Sequence, residues 1–177
     1  MLLCMRIYDT INKKIRDLEP KDPHKISIYA CGPTVQDVPH LGHARTAFTY
    51  DVLKRYLIWA GFEVFFVSNI TDIDDKIINR ALAEGISEDE LAQTYANIHF
   101  EQLRNFGIKD PDKRPRATQF IQQMISIIEE LMENGSAYEI QGSGIYFDVS
   151  KFDGYGVLGL NRSVEELRDS AKNKNHC

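Results

Sequence analysis

The chain has 177 residues, of which 43% are hydrophobic, and its 21 basic and 26 acidic side chains give a formal net charge of −5. This length fits one domain, or one domain and part of a second, with a core of ordinary size. Proteins whose main task is gripping nucleic acid usually carry a basic face. The acidic balance therefore argues against this chain as the main platform for an RNA.

The cysteines and the first residues of the chain indicate in which cellular compartment the protein is expected. Cys4, Cys31 and Cys177 are too few and too widely spaced for a disulfide framework, which favours a reducing environment. The opening MLLCMRIYDT lacks a secretory pattern, because a charged residue soon interrupts its apolar run. No apolar run approaches the roughly 20 residues that span a bilayer. We therefore expect a cytoplasmic protein with no membrane partner.

Residues 26–61 predict a strand followed by a helix. Apolar and polar side chains alternate over residues 26–31, which is typical of a short strand. A helix is predicted over residues 43–60, because apolar residues recur there at i, i+4 spacing and Gly61 supplies a stop. The predicted buried stripe of this helix consists of Ala47, Phe48, Val52, Leu53, Tyr56, Leu57 and Ala60.

A second strand is predicted over residues 63–70, where EVFFVSNI is apolar on both faces. Such a strand expects cover on both sides. For Phe62, Phe65 and Phe66 we favour a place in the core over a base-stacking platform. A helix between two strands makes them parallel neighbours through a right-handed crossover. The predicted fold class is therefore α/β. Ligands of such sheets bind beyond the carboxyl ends of the strands, where the loop over residues 31–43 lies.

The remaining sequence predicts helices, a linker and a hairpin. Acidic residues, a capping box at Ser87 and Glu90, and closing glycines mark the helix ends, while glycines between two short strands mark the hairpin. In chain order the elements are a helix over 72–85, a helix over 87–106, a linker over 111–116, a helix over 117–135, a hairpin over 136–149 and a weak helix from 163. We place the domain boundary between residues 114 and 115, with a disordered tail from about 170.

The motif HLGH, residues 40–43, puts two imidazoles at the predicted start of a helix. A helix N-terminus carries unpaired N–H groups and roughly half a positive charge, so it attracts phosphate. Gly42 lets a nucleotide approach the backbone closely, and His40 and His43 can donate hydrogen bonds to phosphate oxygens. Such donors stabilise charge that develops during displacement at phosphorus. The alternative is that both histidines only cap the helix or bind a stray metal.

The longer string CGPTVQDVPHLGHARTAFTYDV, followed by NITDIDDKI, resembles the cysteinyl-tRNA synthetase family. HLGH is similar to the HIGH motif of that family, with Leu41 where isoleucine is common. PRAT, residues 115–118, and the segment from FDV to YGVL, residues 147–158, are similar to parts of its connective region. The resemblance spans residues 5–160. It implies the N-terminal half of a Rossmann-like class I synthetase domain, residues 1–114, followed by part of a helical and hairpin connective insertion.

The resemblance implies a class I aminoacyl-tRNA synthetase. Such an enzyme joins cysteine and ATP, with Mg²⁺, into cysteinyl adenylate and passes the cysteinyl group to tRNA(Cys). By the same resemblance, the catalytic residues are His40 and His43. The ATP-binding residues are Thr34, His40, Gly42 and His43, and the residues for the substrate cysteine are Cys31, Gly32 and Thr71.

The resemblance also implies zinc, with Cys31 as the one ligand that the family draws from its N-terminal half. Zn²⁺ prefers thiolate, so a Zn–S bond selects cysteine over serine, which hydrogen bonding alone separates poorly. The alternative for Cys31 is a small buried residue that ends a strand. Asp72, Asp74 and Asp75 either hold a hard cation such as Mg²⁺ or complement a helix start, and we favour the helix start.

Several family features have no counterpart in the 177 residues. These are the KMSKS motif, the second half of the nucleotide-binding fold, the anticodon-binding domain and the remaining zinc ligands. His176 and Cys177 do not match the family positions, and Gln36 replaces a frequent tyrosine. We therefore expect no aminoacylation by this chain alone and weak or absent zinc binding. A fragment, a truncated gene product and a half completed by a second chain all fit.

Two other functions remain open. Ligases that join activated cysteine to an amino sugar in mycothiol synthesis resemble the same family and share its opening motifs. A non-catalytic module that binds nucleotide, or a partner through an exposed sheet edge, is the other alternative.

Overall fold

The computed structural model describes residues 5–156 and 158, and the chain divides into two compact units. Residues 19–121 form one unit, here called the sheet unit, and the described residues before 19 and after 121 form the other, here called the hairpin unit. The predicted boundary between residues 114 and 115 stays a prediction. The weak helix predicted from residue 163 and the tail predicted from about 170 lie outside the described residues.

The regular elements follow one another with short connections. In chain order they are β1 (Arg6–Asp9), β2 (Lys14–Asp17), β3 (Lys25–Ala30), α1 (Leu41–Trp59), β4 (Glu63–Ser68), α2 (Asp75–Glu84), α3 (Glu88–Asn105), α4 (Ile121–Glu133), β5 (Ala137–Ile140) and β6 (Gly144–Phe147). A 3₁₀ turn (Ala117–Phe120) precedes α4, and another (Val149–Lys151) follows β6.

The sheet unit is built on the parallel pair β3 and β4, joined through α1. Lys25 lies opposite Glu63, and Ala30 lies opposite Ser68. The predicted strand–helix–strand unit and the α/β fold class are therefore confirmed. The strand predicted to reach residue 70 ends at Ser68, where its pairing with β3 ends opposite Ala30.

A further segment, residues 112–118, here called the flanking segment, runs beside the end of β4. Ser68 N donates to Lys113 O at 3.1 Å, and Ile70 N donates to Pro115 O at 2.8 Å. The Asp112 carboxylate also accepts from Phe66 N at 2.7 Å. Residues 111–116 contain no helix or strand, as expected of a linker, but their backbone groups pair with the end of β4.

Helix boundaries follow local capping. His40 is the N-cap of α1, so the helix begins at Leu41, two residues before the predicted start. Asp74 caps α2 by accepting from Lys76 N at 3.0 Å, and Ser87 caps α3 by accepting from Glu90 N at 3.2 Å. Gly85 ends α2 in the left-handed conformation, with φ of 69°, which favours glycine.

The core of the sheet unit lies where α2 and α3 pack together. Both helices carry alanines at their contact, and these small side chains let the two helix backbones approach closely. The buried cluster consists of Val35, Ile70, Ile77, Ala81, Leu91, Ala92 and Ala96, with Ile86, Tyr95 and Phe100 packed against it. Val35 and Ile70 belong to the chain beyond β3 and β4, so this core holds the ends of both strands.

Fewer apolar side chains of α1 and β4 are buried than the sequence predicts. Of the predicted α1 stripe, Leu57 is buried, but Phe48 and Val52 are 55% and 48% exposed. On β4, Phe66 is buried as predicted, whereas Phe65 is 43% exposed. Adjacent strand residues point to opposite faces, so the described residues cover one face of the β3–β4 pair and leave the other open. The prediction of cover on both sides is wrong for this chain.

The hairpin unit contains two antiparallel pairs and α4. Arg6 lies opposite Asp17 in the β1–β2 hairpin, and Ala137 lies opposite Phe147 in the β5–β6 hairpin. The second hairpin confirms the prediction, whereas the sequence analysis missed the first. Asp9 holds the first turn by accepting from the backbone N of two of its residues, at 3.0 and 3.2 Å. None of the described residues of this unit is buried.

Candidate functional site

A cavity of about 480 Å³ lies in the sheet unit at the carboxyl ends of β3 and β4. Its wall comes from the loop after β3, the first turns of α1, the middle of α3 and residues 108–114. This is the edge at which open parallel sheets bind ligands. The wall includes five of the predicted site residues, Cys31, Gly32, Thr34, His40 and His43. Gly42 and Thr71 are outside the lining.

The two histidines of HLGH form a pair at the start of α1. His40 Nδ1 accepts from Gly42 N at 3.1 Å, and His43 Nδ1 accepts from His40 N at 3.1 Å. The ring centroids are 4.0 Å apart. Because each Nδ1 acts as an acceptor, each neutral ring carries its hydrogen on Nε2. Capping and ligand binding are therefore compatible, since capping uses Nδ1 and leaves Nε2–H as a donor.

Gly42 has a local reason to be glycine. A Cβ at this position would lie 2.8 Å from His40 Cε1 and 2.9 Å from His40 Nδ1. Its absence lets the His40 imidazole fold over the first turn of α1 and accept from the backbone there. The close approach of a nucleotide to Gly42 stays a prediction.

His99, on α3, extends the histidine pair inward and is a residue that the sequence analysis missed. Its ring meets His43 edge-on with centroids 5.7 Å apart, and it meets Phe100 with centroids 5.2 Å apart. The Arg114 guanidinium lies over the Phe100 ring, 3.5 Å from its centroid. The signal was present, because Ala92, Ala96 and His99 share the apolar face of α3 at helical spacing.

Burial sets the charge of these rings. His99 is only 6% exposed, and burial, followed by the charges of His43 and Arg114, lowers its pKa to about 4. Burial, followed by the charge of His40, also lowers the pKa of His43 below its usual range. Desolvation disfavours an imidazolium, so near neutral pH both rings are held in the neutral form. A neutral His43 donates through Nε2–H without carrying a full charge.

The charged residues of the wall leave it cationic. Lys76, Lys109 and Arg114 line it together with Asp37 and Asp110, which is three cations against two carboxylates. Asp110 pairs with Arg114 at 2.6 Å, and Asp37 pairs with Arg80 outside the wall at 3.0 Å. The hydrogen bond from Arg80 is the main reason that the pKa of Asp37 is lowered. This balance suits an anionic ligand such as a polyphosphate.

Gln36, at the position where the family often has tyrosine, also lines the cavity. Its backbone O accepts from Arg80 Nη1 at 2.7 Å, which fixes the residue in place. Its side-chain Oε1 is buried and has no hydrogen-bond partner among the described residues. Buried acceptors normally have a partner, so this oxygen is suited to accept from a ligand.

Cys31 lines the cavity as an exposed residue with a free thiol. The alternative that it is a small buried residue is therefore wrong. Within residues 5–156 and 158, no group of three or more His, Cys, Asp or Glu side chains is arranged to hold a metal ion. Zinc sites in proteins use three or four protein ligands. The residues in hand therefore do not fit a complete zinc site, and the chemistry below involves no step through zinc.

The carboxylates of the TDIDDK stretch have structural partners. Asp74 is the N-cap of α2 and Asp75 lies in its first turn, which confirms the helix-start interpretation for these two residues. For Asp72 that interpretation is wrong, because its carboxylate is taken up by Thr118. Asp72 is buried, and its carboxylate accepts from Thr118 N at 3.0 Å and Thr118 Oγ1 at 2.7 Å. Asp72 therefore fastens the flanking segment to the end of β4.

A parallel strand–helix–strand unit, two imidazoles at the start of the crossover helix and a cavity beyond the strands are the arrangement that the resemblance to class I synthetases predicts. Residues 17–176 match the family model described as tRNA synthetases class I (C) catalytic domain. The chain belongs to that family. In the part of the chain that the structure describes, no helix is long and apolar enough to cross a membrane.

Curated relatives carry the name cysteine–tRNA ligase. The protein from Thermodesulfovibrio yellowstonii is 44% identical over 171 residues, which is 95% of this chain and 35% of the relative. The protein from Pyrococcus horikoshii is 43% identical over 170 residues, which is 96% of this chain and 35% of the relative. The chain thus spans about a third of the length of these relatives.

A solved structure supports the fold. The LeuRS of Agrobacterium radiobacter, in a ternary complex with tRNA and LeuAMS, superposes with a TM-score of 0.58. The match covers 68% of this chain and 16% of that protein, at 18% identity. At that identity the similarity shows the fold alone.

Proposed function

We propose that this chain carries the N-terminal half of the adenylate-forming site of a cytoplasmic cysteine–tRNA ligase and that it does not aminoacylate tRNA alone. In that reaction a carboxylate oxygen of cysteine attacks the α-phosphorus of ATP. The bond from that phosphorus to the bridging oxygen breaks, and pyrophosphate leaves with its electron pair, so cysteinyl adenylate forms. The 3′-terminal hydroxyl of tRNA(Cys) then accepts the cysteinyl group and AMP leaves. The names of the relatives favour this over the amino-sugar ligase.

The observation that carries the proposal is the pair of Nε2–H donors at the start of α1. His40 and His43 present them in a cationic cavity, at a helix end that itself attracts phosphate. Such donors act by stabilising charge that develops on phosphate oxygens, since displacement at phosphorus depends on positioning and electrostatics. Thr34 lines the same cavity and is proposed as a further contact to ATP, whose Mg²⁺ enters with the nucleotide.

The same cavity gives the proposed cysteine end of the site. Cys31 and Gly32 line it, and Thr71 lies beside Thr34 in parallel pairing, with Thr71 N donating to Pro33 O at 3.0 Å. We assign these residues to the substrate cysteine. Cys31 is proposed as one ligand of a zinc ion whose other ligands come from outside the described residues.

Titration of the chain with ATP and Mg²⁺ tests the proposal, using calorimetry on wild type and on His43→Ala. The variant loses a donor to a charged oxygen, so its affinity is expected to fall about tenfold or more. His24→Ala is the matched control, because His24 is an exposed histidine outside the cavity wall. Equal affinity for ATP in the His43 and His24 variants would contradict the proposed role.

A further inference from the structure

The backbone pairing between the two segments that follow β3 and β4 is interrupted. The β3–β4 ladder ends with Ala30 opposite Ser68. It resumes farther on, where Thr71 N donates to Pro33 O at 3.0 Å and Val35 N donates to Thr71 O at 3.2 Å. Between these two points lie Cys31 and Gly32, a pair of residues here called the Cys31 turn.

The side chain of Asn69 fills this gap. Its Oδ1 accepts from Gly32 N at 2.8 Å, and its Nδ2 donates to Thr71 Oγ1 at 3.4 Å. The carboxamide thus takes the place of the missing backbone partner on one side and reaches a side-chain hydroxyl on the other. The Gly32 N–H fixes which end of the amide is which, because only an oxygen can accept from it.

Packing around Gly32 fixes the turn as well. A Cβ on Gly32 would lie 1.5 Å from the backbone O of Asn69 and 3.3 Å from Ser68 Oγ. No side chain fits there without moving the turn. The Cys31 turn is therefore pressed against the backbone of Asn69 and hydrogen bonded to its side chain.

We propose that Asn69 is a positioning residue for the substrate cysteine, an inference that rests on the proposed function. One carboxamide holds the Cys31 turn and the Thr71 hydroxyl in a fixed relation. Because Thr71 Oγ1 accepts from Asn69, its own hydrogen is directed elsewhere. Thr71 does not line the cavity itself but pairs with Thr34, which does, and we assign its hydrogen to a carboxylate oxygen of the ligand. Asn69 itself touches no ligand and acts through Gly32 and Thr71.

Two substitutions separate the two hydrogen bonds. Asn69→Ala removes both. Asn69→Asp keeps an acceptor for Gly32 N, but its carboxylate accepts from the Thr71 hydroxyl and so turns that hydrogen away from the ligand. The control is Asn79→Ala, at an exposed asparagine on α2.

Amide hydrogen exchange of Gly32 in the 177-residue chain, followed by NMR, is the first measurement. Its protection is expected to fall about five- to tenfold in Asn69→Ala and to stay near the wild-type value in Asn69→Asp and Asn79→Ala. Unchanged protection in Asn69→Ala would overturn the proposal. Urea titration of each variant shows whether the change is local or follows global stability.

Affinity for the adenylate analogue cysteinyl-sulfamoyl adenosine is the second measurement. It is expected to fall about fivefold or more in both Asn69 variants, including Asn69→Asp, in which the turn is kept. A merely structural role would leave the Asn69→Asp affinity at the wild-type value, and that result would overturn the proposal. If wild type itself does not bind the analogue, the proposed function fails, and Gly32 exchange still decides whether Asn69 holds the turn.

Discussion

The sheet unit and the hairpin unit both contain an amphipathic helix, but only the helix of the sheet unit buries its apolar face. Both α3 and α4 carry one apolar face, yet four residues of α3 are buried and none of α4 is. Every buried hydrophobic residue of the described chain lies in the sheet unit. An amphipathic pattern thus specifies a helix and its face, whereas burial requires a partner for that face. The candidate site lies in the unit in which the helices have partners.

Alanine substitutions in α3 and α4 test this contrast most strongly. Leu91 is fully buried, so Leu91→Ala is expected to lower the free energy of unfolding by about 2–5 kcal/mol. Ile127, on α4, is 56% exposed, so Ile127→Ala is expected to change it by about 0.5 kcal/mol or less. Urea denaturation followed by circular dichroism measures both. Comparable losses in the two variants would show that α4 is buried in solution, against the structure.

The buried imidazole of the sheet unit gives the next largest effect. The pKa of His99 falls from 6.5 to about 4 on folding. The unfolded chain then binds a proton between about pH 6.5 and pH 4 that the folded chain excludes, so stability rises with pH through this window. The contribution of His99 to the free energy of unfolding is therefore about 3 kcal/mol smaller below pH 4 than above pH 6.5.

Denaturation of His99→Gln at pH 4.5 and at pH 7.5 checks this. The substitution removes the titrating ring, so the difference in stability between the two pH values is expected to shrink by about 2–3 kcal/mol relative to wild type. His24→Gln, at an exposed histidine, is the control. If the stability of His99→Gln depended on pH as strongly as that of wild type, other titrating groups would be responsible for the dependence.

A smaller effect is expected where the flanking segment meets β4. Asp72→Ala removes the acceptor of Thr118 N and Oγ1 and is expected to cost about 2 kcal/mol of unfolding free energy. Asp75→Ala, in the exposed first turn of α2, removes only a helix-dipole interaction worth about 0.3–1 kcal/mol. Urea denaturation compares them, and an equal cost would remove the special role given to Asp72.

Local signals made much of this structure predictable. Ser87 and Gly85 mark helix ends through capping chemistry that involves only nearby residues. The turn glycines between β5 and β6 predict the second hairpin for the same reason. The histidine pair was also foreseeable, since HLGH brings both rings to one helix start without help from distant residues.

Long-range contacts account for what the sequence did not reveal. The prolines and charges of the flanking segment are typical of a linker and do not indicate its pairing with β4, about 45 residues earlier in the chain. His99 joins the site only because α3 packs beside the start of α1. Phe48 of α1 has the helical spacing of a buried residue, yet it is exposed. Spacing shows which face of a helix is apolar, but burial also requires residues packed against that face, and the described residues do not supply them at Phe48.

The most direct test of the account is a long-range proton–nitrogen NMR spectrum of the histidine rings, recorded while ATP and Mg²⁺ are added. The account predicts that His40 and His43 are protonated on Nε2 and not on Nδ1, as their backbone hydrogen bonds require. It also predicts that both rings shift to saturation with ATP while His24 does not. Protonation on Nδ1, or shifts no larger than those of His24, would contradict the claim that this helix start is the phosphate site.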